Sequence, residues 1–139
     1  LVVTRDEMAW FLWRFRGTQL ATVAATFDDV AVDESFGPAV DWLAATGITL
    51  GCTVTSYCPD GTVTRAEMAA FLWRLKGSPG GSTSADFNDV PVNFFAGSAV
   101  DWLLASDTTT GCTTTSYCPQ SLVTRAEMFT FLNRLSAMP

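Results

Sequence analysis

Arginine recurs in this sequence at positions where it can hold an anion. Arg5, Arg65 and Arg125 lie in segments that read VTRDEM, VTRAEM and VTRAEM and that begin sixty residues apart. A guanidinium beside the free N–H groups of a helix start binds carboxylates well. The structural alternative is a salt bridge to an acid of the repeat, such as Asp29, Asp41 or their counterparts sixty residues on. Spacing alone leaves both interpretations open.

The remaining residues of these segments form a helix-start signal. A threonine followed three residues later by glutamate is a capping box, and the flanking valine and methionine fit a hydrophobic staple. The predicted pairs are Thr4/Glu7, Thr64/Glu67 and Thr124/Glu127. Apolar residues follow at helical spacing, so we predict helices at about 4–16, 64–76 and 124–135.

Four cysteines stand in two matched loops, GCTVTSYCP and GCTTTSYCP. We predict the disulfides Cys52–Cys58 and Cys112–Cys118, because zinc-binding pairs are usually spaced more closely. Disulfides indicate an oxidising, extracytoplasmic setting. We expect no metal site and no cofactor.

Composition narrows the classes of function. The net charge of −6 opposes nucleic-acid binding. The absence of histidine excludes Ser-His-Asp and Cys-His catalysis within the chain. The carboxylate pair Asp28/Asp29 is an enzymatic alternative, but Asn88 replaces its first member in the second repeat. We therefore expect a packed, non-catalytic globular chain with no membrane insertion.

The chain is built from repeats. Residues 27–76 align with residues 87–136 without a gap, and 30 of 50 positions are identical. The predicted organisation is the second half of a preceding repeat at 1–20 and full repeats at 21–80 and 81–139, in one compact domain.

Each full repeat has an earlier apolar segment, which predicts helices at 36–46 and 95–105. The sequence also allows short extended segments at 48–55 and 108–115, but it shows no long strand pattern. The predicted fold class is mainly α, with helix–loop–helix units and disulfide-stapled loops.

The order FDDV, AVDWL, GIT, YCPDG and VTRAEMAAFLWR resembles the S-layer homology repeat, and the resemblance covers nearly the whole chain. It implies packing around a central helix bundle and anchoring of a surface protein to acidic, often pyruvylated, polysaccharide of the bacterial cell wall. It makes Arg5, Arg65 and Arg125 candidate contacts to an anionic glycan, with Trp42 and Trp102 as weaker candidates for stacking on sugar. Burial in the core is the favoured alternative for both tryptophans.

Two departures from the family pattern bear on function. Asp107 stands where the first repeat has Gly47, which predicts an altered helix end and an altered site. The FDDV half of a repeat is missing before residue 1, so another copy of the chain can supply it. The second predicted function is therefore a self-assembling structural subunit of an extracellular layer or filament.

Overall fold

The structure, a computed structural model, describes residues 1–19, 27–31, 34–80, 87–91 and 94–137. Five α-helices form within these ranges. They are α1 (Arg5–Phe15), α2 (Gly37–Ala45), α3 (Arg65–Leu75), α4 (Gly97–Ala105) and α5 (Arg125–Ser136). The predicted mainly helical class and the five predicted helices are confirmed. None of these helices is long and apolar enough to cross a membrane.

The short extended segments that the sequence allows at 48–55 and 108–115 do not form strands. Both are loops, and the residues that the structure describes form isolated β-bridges elsewhere but no strand. The cysteine loop folds back on itself, since the N–H groups of Cys52 and Thr53 both donate to the carbonyl of Ser56. Those backbone groups are therefore not available to pair with a strand.

The chain divides into two compact units that begin half a repeat earlier than the sequence repeats do. The N-terminal unit is Val3–Val63 and contains α1 and α2. The C-terminal unit is Thr64–Pro139 together with Leu1–Val2, and it contains α3, α4 and α5. Two of the three VTRxEM helices pack with the first helix of the following repeat, α1 with α2 and α3 with α4.

The core of the N-terminal unit joins its two helices to the cysteine loop. Met8 and Leu12 of α1, Leu43 of α2 and Tyr57 of the loop are fully buried. The start of α1 is held by the residues that follow the loop, because Arg5 N–H donates to the carbonyl of Gly61 at 2.8 Å.

The C-terminal unit repeats this arrangement. Met68 and Leu72 of α3, Leu103 of α4 and Tyr117 are fully buried. The backbone N–H of Arg65 donates to the carbonyl of Ser121 at 2.8 Å.

Leu1 takes the corresponding position at the start of α5. Its carbonyl accepts from Arg125 N–H at 3.0 Å, and Val2 forms a β-bridge with Thr124. Leu1 is sixty residues before Gly61, so the first N–H of each VTRxEM helix donates to a carbonyl at an equivalent position of the repeat.

The end of α4 has the same geometry as the end of α2 despite the change from glycine. Gly47 has φ +77° and Asp107 has φ +60°, so both adopt the left-handed conformation. Aspartate enters this region more readily than most residues. The following N–H groups, of Ile48 and Thr108, each donate back to a helix carbonyl at 2.8 Å. The expected change at this helix end is therefore not found in the backbone.

Candidate functional site

The helix starts set the position of every arginine in the VTRxEM segments. In α3 the Thr64 hydroxyl accepts from Glu67 N–H at 3.1 Å, and Thr64 N–H donates to the Glu67 carboxylate at 3.0 Å. The start of α5 has the same two bonds. In α1 an extra carboxylate intervenes, because Asp6 accepts from Glu7 N–H at 2.9 Å. These bonds satisfy helix N–H groups that would otherwise lack partners.

Arg65 and Tyr117 hold one another through reciprocal hydrogen bonds. The Nε of Arg65 donates to the Tyr117 carbonyl at 2.8 Å, and the Tyr117 hydroxyl donates to the Arg65 carbonyl at 3.0 Å. The guanidinium lies 4.6 Å from the centre of the tyrosine ring, a cation–π distance. Arg5 and Tyr57 make the same contacts in the N-terminal unit, at 2.6, 2.7 and 4.7 Å. Burial raises the pKa of both phenols, so they donate as neutral groups.

An aspartate from the start of each full repeat fixes the tyrosine loop. The two carboxylate oxygens of Asp89 accept from the N–H groups of Tyr117 and Cys118, both at 2.8 Å. Asp29 does the same for the first loop. Burial acts to raise the pKa of Asp29, but these backbone hydrogen bonds and the nearby Arg5 outweigh it, so the pKa lies below its usual value.

The predicted disulfides are confirmed in both loops. Each disulfide joins Cα atoms about 6 Å apart across a threonine turn. Cys58 and Cys118 adopt left-handed backbone conformations, with φ +58° and +59°. Residues other than glycine hold this conformation only where the surroundings enforce it, and here a disulfide and an aspartate act on the same residue.

The salt-bridge alternative holds for Arg65, but the acids predicted as its partners were wrong. The Nη1 of Arg65 pairs with the Glu127 carboxylate at 2.9 Å. The Asp89 carboxylate is instead occupied by backbone N–H groups. The partner is thus the capping glutamate of the next VTRAEM copy, which uses one oxygen for its own helix start and the other for Arg65.

A pocket of about 250 Å³ opens beside this ion pair, entirely within the C-terminal unit. The loop after α4 and the exposed side of α5 complete it. Its lining residues are Arg65, Thr109, Thr110, Gly111, Ala126, Glu127, Thr130, Phe131 and Arg134. Phe131 provides an apolar wall, and its ring lies 5.5 Å from the Arg65 guanidinium.

Two guanidinium groups in this pocket keep unused donors. Arg65 uses Nε and Nη1, and Arg134 uses Nη1 to donate to the Thr108 carbonyl at 3.2 Å. Within the described residues, the Nη2 of Arg65 and the Nε and Nη2 of Arg134 have no acceptor. The Arg65 residue is only 6% exposed, so its charge is partly shielded from water. Such an arrangement can bind a carboxylate or another oxyanion.

The other predicted site residues lie in different surroundings. Trp42 and Trp102 are 4% and 7% exposed, on the buried sides of α2 and α4, which is the placement expected of core residues. Arg5 is buried and is held by its reciprocal hydrogen bonds with Tyr57, an arrangement called here the arginine–tyrosine clasp. Arg125 is exposed at the start of α5.

Sequence reasoning missed Arg134, Tyr117 and the threonines of the loop. A signal for Arg134 was present, because Arg14, Arg74 and Arg134 recur at the same sixty-residue interval as the VTRxEM arginines. The tyrosines likewise recur in both cysteine loops. Their contact with an arginine 52 residues earlier became visible only in the structure.

The model of one protein family matches the chain. Residues 26–69 match the S-layer homology domain, which confirms the resemblance for that segment. The match covers less than half of the chain, and it extends from the first FDDV segment into α3. No curated protein matches the chain in sequence. An S-layer homology domain is in general a cell-surface, cell-wall-anchoring module, and such domains are typically non-catalytic.

Proposed function

We propose that the chain is a non-catalytic cell-surface module whose pocket between Arg65 and Arg134 binds an acidic group of a cell-wall polysaccharide. The observation that carries this proposal is the pair of guanidiniums that line one pocket with unused N–H donors. A carboxylate on a sugar accepts hydrogen bonds from two such donors at once.

The rest of the pocket suits a sugar ring. The hydroxyl of Thr110 lies on an exposed loop beside the guanidiniums, where it can bond a sugar hydroxyl, while Phe131 is 4% exposed and contributes only a small apolar part of the wall. Tyr117 and Glu127 hold Arg65 in place before any ligand arrives, so little side-chain entropy is lost on binding. The confirmed disulfides and the family match support a location outside the cell.

Two other arginines are further candidates for contact with the acidic glycan, and they are supported by different observations. Arg5 is clasped by Tyr57 in the same way as Arg65 is by Tyr117, so it is the second candidate anion contact. Arg125 is the third, at an exposed helix start. The buried tryptophans Trp42 and Trp102 have little surface to offer a sugar.

The test is a binding measurement with purified wall polysaccharide and the Arg134→Gln variant. Arg134 is exposed, and its guanidinium donates one hydrogen bond to a backbone carbonyl, that of Thr108 at 3.2 Å, so its replacement leaves the core intact. Loss of one charge-assisted contact weakens binding by roughly tenfold or more. Arg16→Gln is the matched control, because it removes one positive charge from an exposed position outside the pocket.

The ligand is tested in parallel by reducing the polysaccharide carboxylates to alcohols. We expect the reduced polymer to bind the native chain as weakly as the acidic polymer binds Arg134→Gln. Equal affinity for the acidic and reduced polymers, or equal loss in Arg134→Gln and Arg16→Gln, would reject this pocket as the acid-binding site.

A further inference from the structure

The Cys112–Cys118 disulfide joins two parts of the chain that both build the proposed acid-binding pocket. Gly111 lines the pocket and directly precedes Cys112. Tyr117, whose carbonyl accepts from the Nε of Arg65, directly precedes Cys118. The chain therefore leaves the pocket wall at Gly111 and returns to the pocket arginine at Tyr117. The disulfide keeps these two points together.

The position of Tyr117 determines where the Arg65 guanidinium lies. Its carbonyl accepts from Nε at 2.8 Å, its hydroxyl donates to the Arg65 carbonyl at 3.0 Å, and its ring centre lies 4.6 Å from the guanidinium. Among the described residues, the other hydrogen-bond partner of this guanidinium is Glu127, whose side chain is 38% exposed. An ion pair at the boundary with solvent orients a long side chain only weakly. A shift of Tyr117 would therefore displace the donors that face the ligand.

Two constraints hold the backbone at Tyr117. The half-buried Asp89 accepts from the N–H groups of Tyr117 and Cys118, both at 2.8 Å. The disulfide acts on Cys118, whose φ of +59° is unfavourable for a residue other than glycine. The φ angle of Cys118 orients the peptide group that carries the Tyr117 carbonyl. When the disulfide is broken, one constraint is lost and Cys118 gains access to the ordinary backbone conformations.

We propose that the Cys112–Cys118 disulfide is a positioning element of the acid-binding pocket, so that the oxidised chain binds acidic glycan and a dithiol reductant makes it release the glycan. This inference rests on the proposed function of the pocket. A closed loop has few alternatives to the arrangement that binds, whereas the opened loop has many. The apparent affinity falls in proportion to the fraction of chains that keep the binding arrangement.

The reduction is a thiol–disulfide exchange. Cys112 is exposed and Cys118 is half-buried, so the Sγ of Cys112 is the sulfur that a thiolate reaches. One thiolate of the dithiol bonds to that sulfur, the S–S bond breaks, and Cys118 leaves as a thiolate. The second thiolate of the dithiol then displaces Cys112. The dithiol loses two electrons and becomes a cyclic disulfide, and its two protons pass to the two cysteine thiolates.

The N-terminal unit supplies a matched control, because the Cys52–Cys58 disulfide joins equivalent positions of the first repeat. None of the residues that line the pocket belongs to that loop. The experiment therefore compares a C-terminal serine variant, Cys112→Ser/Cys118→Ser, with an N-terminal serine variant, Cys52→Ser/Cys58→Ser. Affinity for purified acidic wall polysaccharide is measured for both, and circular dichroism verifies that each is folded.

The decisive readout is the effect of Arg134→Gln in each variant. We expect the C-terminal serine variant to bind at least about tenfold more weakly than the native chain. Addition of Arg134→Gln to it should weaken binding little further, because both changes disable the same pocket. In the N-terminal serine variant, Arg134→Gln should reduce affinity by the same factor as in the native chain. General destabilisation would not make one loop depend on Arg134 and leave the other independent of it.

A second measurement needs no substitution in the tested loop. The N-terminal serine variant keeps Cys112–Cys118 as its one disulfide, so a dithiol acts on that bond alone. Binding of the acidic polysaccharide should fall at least about tenfold on reduction and return after reoxidation. Unchanged binding after complete reduction, verified by titration of two thiols, overturns the proposal.

Two further outcomes of the variant experiment also overturn the proposal. One is undiminished affinity of the C-terminal serine variant. The other is a loss of affinity to which Arg134→Gln adds its full native factor, since the disulfide would then act outside the pocket. Failure of the proposed function itself is distinguishable, because the native chain would then bind the acidic and carboxylate-reduced polymers equally, and this inference would fall with it. A native chain that prefers the acidic polymer, beside a C-terminal serine variant with the same preference and affinity, overturns the role of the disulfide alone.

Discussion

Arg65 and Glu127 lie in successive copies of the same six-residue segment and form an ion pair at 2.9 Å. Glu127 thus has two partners. It caps its own helix, and it also pairs with the arginine of the preceding VTRAEM copy. The glutamate side chain is 38% exposed, so the pair stands at the boundary between core and solvent. The arginines of the first two copies, Arg5 and Arg65, therefore have a structural role even where no ligand is bound.

Glu127→Gln separates the two roles of this glutamate. The amide oxygen can still cap α5, but the charge opposite Arg65 is lost. We expect the free energy of unfolding to fall by about 1 kcal/mol, the scale of a partly exposed charge-assisted bond. Urea titrations at low and high salt provide the measurement, and the loss should shrink at high salt. An equal loss at both salt concentrations would indicate that the cap, and not the ion pair, was damaged.

The tyrosines should resist ionisation at alkaline pH. The chain has only two, Tyr57 and Tyr117, and burial raises the pKa of both. Because the folded pKa lies above the unfolded value of about 10, the stability they confer is complete below that pH and is lost as pH rises above it. Tyrosinate absorbance should therefore appear together with unfolding. Ionisation near pH 10 in a chain whose circular dichroism is still native would contradict the buried clasp.

Replacement of Asp29 by asparagine should make stability less dependent on acid. The Asp29 carboxylate accepts hydrogen bonds from two backbone N–H groups. In Asp29→Asn the side-chain NH2 group faces one of these N–H groups, so two donors oppose each other and one hydrogen bond is lost. Because this carboxylate is exposed to water, we expect a loss of only about 1 kcal/mol at neutral pH. The folded pKa of Asp29 is lowered, so its contribution is present above the unfolded value of about 4 and is lost as pH falls through the folded value. The melting temperatures of the native chain and of Asp29→Asn should therefore converge as the pH is lowered below about 5, the range in which carboxylates take up protons. Parallel curves would show that this carboxylate does not contribute through its charge.

Gly111 should tolerate no side chain. It has φ +90°, and a Cβ there would lie 2.6 Å from the Phe87 ring and 2.7 Å from the Ser116 carbonyl. We expect Gly111→Ala to cost about 2 kcal/mol or more, from backbone strain and overpacking together. Gly80→Ala is the control, because a Cβ there meets no atom within 4 Å, and its cost should stay within about 0.5 kcal/mol. Similar unfolding midpoints for the two variants in urea would show that the loop adjusts freely.

The helices were predictable because their signals are local. The Thr64 and Glu67 cap, the apolar spacing after it and the glycine beyond α3 all act within one or two turns. The disulfides were predictable because each joins residues only six positions apart.

The site was less predictable because its contacts span most of a repeat. Arg65 meets a tyrosine carbonyl 52 residues later, and its acidic partner is 62 residues later. No local pattern identifies which acid reaches Arg65. The sequence therefore suggested aspartates of the repeat, such as Asp89, as partners in the salt bridge. At Asp107 a local rule gave the wrong result. The replacement of glycine by aspartate predicted a changed helix end, but Asp107 still adopts the left-handed conformation there.

The half-repeat offset between sequence copies and compact units determines how such a chain can change in length. The natural border of a folded unit lies between Val63 and Thr64, inside the VTRAEM segment, and not in the glycine- and serine-rich linker that separates the copies in sequence. A gene duplication that adds one whole copy brings a new arginine at its end and a new tyrosine loop in its middle. The new tyrosine loop pairs with the arginine already present, as Tyr117 pairs with Arg65. The array can therefore be lengthened or shortened by whole copies without the invention of any new contact.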